Sequence, residues 1–169
     1  MKLKFFVLSL VVFLFISSTA YAEAEKSVYF HFISLPNKTA ALIDWVKIFD
    51  SDGNLVGALD FGKDDNNIDS GSYVVLDESG GHWGDLISEG EIIARPVNGR
   101  DSKWEHSAFF IKVSKPISEG MILKVRYKDA GKDLMPIEYI NNDKTLRIGQ
   151  VYLENSGKWL EDEFDIPVK

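Results

Sequence analysis

Short apolar stretches recur along this chain, each closed by Gly, Asn, Asp or Pro, and none carries a period of 3.6 over three turns. That cadence restricts the fold more than any other feature, because an apolar run too short for a helix buries its residues as a strand. Met121–Tyr127 shows the pattern most cleanly. Met121, Leu123, Val125 and Tyr127 share one face, and Lys124 and Arg126 take the other. Ser107–Ser114 repeats it with Phe109, Ile111 and Val113. The strongest local signal is a hairpin, in which Leu42–Phe49 and Leu55–Phe61 flank Ser51-Asp52-Gly53-Asn54. Asp-Gly between two apolar runs supplies the positive φ angles that a tight turn requires.

Strict alternation in the first arm of the hairpin puts Ile43, Trp45 and Phe49 on one face and Leu42, Val46 and Ile48 on the other. Further strands are expected at 27–34, 72–77, 91–95 (ended by Pro96), 137–140 and 145–153, with a last short one starting at Trp159-Leu160. His31, Trp45 and Trp159 lie within such runs and read as core, while 62–71 and 78–85 read as loops. This pattern predicts an all-β fold, an antiparallel two-sheet β-sandwich of jelly-roll-like form, with a closed barrel as the alternative.

Residues 1–22 have a different character. Met1-Lys2-Leu3-Lys4 is basic, Phe5–Ile16 is apolar apart from Ser9, and Ala20-Tyr21-Ala22 follows a small polar stretch. This order is that of a secretory signal peptide, and the apolar run is shorter than the roughly 20 residues a membrane span needs. The expected organisation is therefore a signal peptide at 1–22 and one domain at 23–169, exported to a periplasm or the extracellular space.

The 147 residues from Glu23 to Lys169 suffice for one packed core. They contain no cysteine, so no disulfide staples the domain and thiol catalysis, thiolate metal sites and a cysteine-linked lipid are excluded. Loss of Lys2 and Lys4 with the signal takes the net charge from −7 to −9. That charge disfavours nucleic acid and anionic lipid as partners and suits a basic protein or a divalent cation.

Two sets of residues stand out as candidate sites. Trp83 and His82 fall in a glycine-rich loop, and Trp104-Glu105-His106 precedes a strong strand. Aromatic rings in loops stack on the apolar faces of sugars while carboxylates and imidazoles bond the hydroxyls, so these five residues are the candidate ligand contacts; the competing reading is that both tryptophans cap the core. His82 and His106, joined by Asp85 or Glu105, would also suit a transition metal. The second set is Asp50, Asp52 and Asn54, with Asp64 and Asp65 from the next acidic loop, which offer hard oxygens to calcium. A full EF-hand is excluded because Phe61 stands where the twelfth-position glutamate belongs, and a plain hairpin turn is the competing reading.

No nucleophile elbow, phosphate loop or dinucleotide fingerprint is present. The expected function is a non-catalytic binding domain for a carbohydrate or cell-envelope surface ligand, with calcium as the possible cofactor. An acidic inhibitor of a basic hydrolase and a small carboxylate-dependent hydrolase are the alternatives. Intact mass of the exported protein is expected to match a chain beginning at Glu23; a mature protein that still begins at Met1 would contradict the cleavage.

Overall fold

The computed structural model describes residues 27–33, 41–63, 73–74, 82–98, 106–141 and 144–168. Among them the chain is all-β. The strands are β1 (Ser27–Ile33), β2 (Leu42–Phe49), β3 (Leu55–Asp60), β4 (Tyr73–Val74), β5 (His82–Trp83), β6 (Ile87–Glu89), β7 (Ile92–Asn98), β8 (His106–Lys112), β9 (Ile122–Lys128), β10 (Lys132–Asn141), β11 (Lys144–Glu154) and β12 (Trp159–Asp165), with one 3-10 turn at Phe61–Lys63. They form two sheets in which every pairing is antiparallel. One sheet runs β11-β10-β1-β8-β4, and the other runs β12-β9-β2-β7-β5, with β3 also on β2 and β6 on β7. No described helix is long and apolar enough to cross a membrane.

The sheets share one core. Phe30, Phe32, Ile111, Met135, Ile137, Tyr139 and Val151 come from the first, and Ile43, Val46, Ile48, Leu123, Val125 and Tyr127 from the second. The faces of β9 follow the expected alternation, with Leu123, Val125 and Tyr127 inward and Lys124 and Arg126 outward. The faces of β2 do not. A bulge between Ile43 and Trp45 sets Asp44 apart as the extra residue, so the alternation changes phase there. Ile43 then joins Val46 and Ile48 in the core, while Trp45, Lys47 and Phe49 are half-buried on the outward face. Trp159 is half-buried as well, opposite Lys128 on that face. Neither Trp45 nor Trp159 is therefore a core residue. His31 is half-buried between the buried Phe30 and Phe32 and opposite Glu138, on the outward face of the first sheet.

Three further differences from the expected strands have physical causes. β7 runs through Pro96 because the strand beyond it is interrupted where Gly84 donates to the Pro96 carbonyl, so no ladder bond needs the missing amide there. Pro136 is tolerated in β10 beyond the last residue paired with β1. β12 continues through Glu161, Asp162, Glu163 and Asp165, a run whose acids suit a sheet edge in contact with water.

β12 also ties the two sheets together. Phe164 lies against Gly149 of β11, where a β-carbon would overlap its ring. The Ile166 amide donates to the Met121 carbonyl at 2.9 Å, and the Tyr139 hydroxyl donates to the Pro167 carbonyl. At the start of β12, the buried carboxylate of Asp129 accepts the amides of Glu154, Asn155 and Ser156 at 2.7, 3.0 and 2.9 Å. Its own amide and carbonyl bond Lys158 and Gly157, so one residue binds the β9–β10 turn to the β11–β12 turn. Burial opposes charge on Asp129, but the bonds from Ser156, Glu154 and Asn155 outweigh it and hold the carboxyl below the usual carboxylate range.

A depressed carboxyl stabilises the fold above its unfolded-state pKa, near 4, and that contribution is lost as pH falls through the folded value. Asp129→Ala leaves three amides without their acceptor and is expected to cost about 3 kcal/mol at pH 7. Thermal melts should show this deficit shrinking below about pH 4; a deficit independent of pH would contradict the clamp.

Candidate functional site

The pairing fixes which candidate residues leave the fold at which end. Trp45 lies opposite Asp60, Leu42 opposite Pro96, and Leu42 also opposite Lys128. The start of β2 thus shares one end with the finishes of β3, β7 and β9. β8 starts at this end too, because its far end bonds the beginning of β3 through Ser114 and Val56.

Three of the five expected ligand contacts, His82, Trp83 and His106, are described, and their strands meet at this end. His82 and Trp83 pair with Asn98 and Val97 at the finish of β7. β5 approaches within 8 Å, Cα to Cα, of β8, whose first residue is His106. Glu105 is bonded to His106 and leads into that strand; Trp104 and Glu105 themselves lie outside the described residues. The segment that carries them joins Asn98 to His106, so both of its anchors are at this end.

Behind β5 the wall is buried and hydrogen-bonded. Gly84 is buried and its amide bonds Pro96. Arg95 is buried, donates from Nη1 to the Gly84 carbonyl at 3.2 Å, and stands 5.9 Å from the ring centroid of buried Phe61. This guanidinium fixes the loop that follows Trp83, and sequence reasoning passed over it because Arg95 falls within an otherwise apolar strand run.

Asp50, Asp52 and Asn54 sit at the opposite end, in the β2–β3 turn. Gly53 donates to the Asp50 carbonyl at 2.9 Å with a φ of 81°, the positive value that favours glycine. Asp50 Oδ1 accepts the amides of Asp52 and Asn54 at 3.0 and 2.8 Å, and Asn54 Nδ2 reaches both oxygens. Lys115 completes the set by pairing with Oδ2. Hydrogen bonding from Lys115 and from Asn54 holds the Asp50 carboxyl far below the usual range. The geometry is that of an Asx-type turn with its own cation. Asp64 and Asp65 lie outside the described residues, and Lys63, which precedes them, closes the 3-10 turn after Asp60, at the other end of β3. Among the described residues no group of three His, Asp or Glu is placed to hold a metal ion.

A second aromatic surface emerged that sequence reasoning assigned to the core. On the outward face of the second sheet, Lys47 Nζ stands 4.1 Å from the ring centroid of Trp45, Lys124 Nζ 5.5 Å from that of Phe49, and Arg126 Cζ 5.8 Å from that of Trp159. Carboxylates surround the cations. Arg126 bonds Asp44 at 3.0 Å and approaches Glu161 at 3.8 Å, Lys124 pairs with Glu163 at 2.8 Å, and Lys128 pairs with Glu89. Burial pushes the Asp44 carboxyl above its ordinary range, against the pull of Arg126.

No family model, curated protein or solved structure matches the chain.

Lys115 already provides the counter-charge at Asp50, so millimolar calcium is expected to leave the melting temperature of the protein unchanged. A rise of about 3 °C or more would show that Asp50, Asp52 and Asn54, or Asp64 and Asp65, take the ion.

Proposed function

We propose that this chain is exported by residues 1–22 and folds as a jelly-roll-like sandwich that binds a carbohydrate or cell-envelope surface ligand without catalysis. The observation that carries this reading is the convergence, at one end of the two sheets, of β5 with His82 and Trp83 and of β8 with His106 at its start. Trp104 and Glu105, which lie outside the described residues, belong by sequence to the segment between Asn98 and His106, and the reading counts them with the three described contacts. Clustering loops at one end of a sandwich lets a recognition surface vary without disturbing the core. The mixture of indole, imidazole and carboxylate groups suits a hydroxylated ligand, because the rings cover its C–H faces and the polar groups bond its hydroxyls.

Export and the charge of −9 agree with a ligand outside the cytoplasm that is neither nucleic acid nor anionic lipid. The Arg95 support behind β5 favours binding by a preformed surface, which lowers the ordering cost of association.

A glycan array, run with and without calcium, identifies the ligand. Trp83→Ala and Trp104→Ala are then expected to weaken its binding about tenfold or more while leaving the melting temperature within a few degrees. Wild-type affinity in both variants would overturn the loop site, and a protein that binds no glycan but does bind a basic hydrolase in a salt-sensitive manner would replace this reading with inhibition.

A further inference from the structure

We infer that the outward face of the second sheet is a platform for an extended, uncharged oligosaccharide chain, distinct from the loop end. This inference rests on the carbohydrate-binding reading and adds a site to it.

Register alone places the aromatic groups. Trp159 lies opposite Lys128, Trp45 opposite Arg126, and Arg126 in turn opposite Glu161. Trp45 and Trp159 are therefore separated by two strand spacings across the sheet and two residues along it, about 12 Å between their backbones. A single sugar ring does not span that distance, and an oligosaccharide does. Phe49 extends the same face toward the other end, opposite Ile122.

Trp45 and Trp159 are half-buried on this face, with Lys47 over one ring and Arg126 over the other. Lys47 arises two residues from Trp45 on the same outward row, and its ammonium stands over the indole at 4.1 Å. A cation in that position occupies the π face, the surface on which the C–H face of a pyranose stacks. Such a cover on a flexible, partly exposed stem is weakly held and yields to a ligand.

Charge on this face selects the ligand class. Arg126, Lys124 and Lys128 are each already paired with carboxylates of Asp44, Glu161, Glu163 and Glu89. A polyanion would meet those carboxylates and a polycation would have to displace the paired bases. A neutral chain leaves these ion pairs intact, displaces only the Lys47 cover, and finds the paired acids and bases as acceptors and donors on the same face.

The test uses the mature protein with cellohexaose and chitohexaose as neutral probes, polygalacturonate as an anionic one, and calorimetry with tryptophan fluorescence as readouts. Trp45→Ala and Trp159→Ala are each expected to weaken binding of a neutral probe about tenfold, with Trp45→Phe and Trp159→Phe retaining more of it. The phenylalanine variants keep a ring on the sheet, so they decide the matter if an alanine variant does not fold. Wild-type affinity in the sheet variants, with binding lost in Trp83→Ala or Trp104→Ala, overturns the platform and leaves the loop site standing. Tighter binding of polygalacturonate than of either neutral probe overturns the ligand class. Failure of the wild type to bind both neutral probes overturns the platform, and the loop reading then stands or falls on the glycan array alone.

Discussion

The last strand holds this molecule together. With no disulfide to close the sandwich, the two sheets are joined along one side by β12, which pairs with β9 in one sheet and packs Phe164 onto Gly149 of the other. Glycine is required there by close approach alone, since any side chain would occupy the volume of the phenyl ring. At one end of β12 the Asp129 carboxylate gathers three consecutive amides, and at the other Ile166 extends the pairing to Met121 while the Tyr139 hydroxyl bonds Pro167 across the sheets. A buried charge is costly unless its hydrogen bonds are complete, and the Asp129 set supplies three amide donors from one turn.

Closure by β12 also determines what the surface can do. It places Trp159 beside β9, so that Arg126 is shared between an indole and the carboxylates of Asp44 and Glu161. The bulge at Asp44 is the second half of that arrangement, because the phase change it introduces turns Trp45 outward while keeping Ile43 in the core. Without the bulge, strict alternation would send Ile43 to the same side as Trp45. Edge position and bulge, two irregularities of the second sheet, thus set the half-buried Trp159 and Trp45 on its outward face while Ile43 stays in the core.

Much of the fold was legible in the sequence for a simple reason: period-two alternation and turn residues act locally. The β2–β3 hairpin, the faces of β9, and the strands expected at 107–114 and 145–153 follow from that pattern, while the one expected at 27–34 was legible as a short apolar run. β5 and β6 escaped because two or three residues carry no readable period. β12 escaped past its first residues because Glu161, Asp162, Glu163 and Asp165 look like a solvated tail, although Glu161, Glu163 and Asp165 lie on the row facing water and Asp162 accepts the Tyr127 hydroxyl. Pro96 reads as a breaker, and only its tertiary position shows that its missing amide falls where the neighbouring strand is interrupted. The candidate site was legible as residue types rather than as a place. Sequence separates His82 from His106, and β7 with its neighbours brings their strands together. The outward turn of Trp45 depends on a bulge that no local pattern announces.

The proposed recognition surfaces are the end shared by β5 and β8 and the outward face of the second sheet. Backbone amide shifts of the isotopically labelled protein, followed by NMR during titration with cellohexaose or with the best glycan of an array, test this proposal most directly. Saturable shifts confined to the residues around His82, Trp83 and His106 and to the rows containing Trp45, Arg126 and Trp159 are the expected result. Shifts centred instead on Leu134 and Tyr152, exposed on the other sheet, or no saturable shift with any glycan, would contradict it.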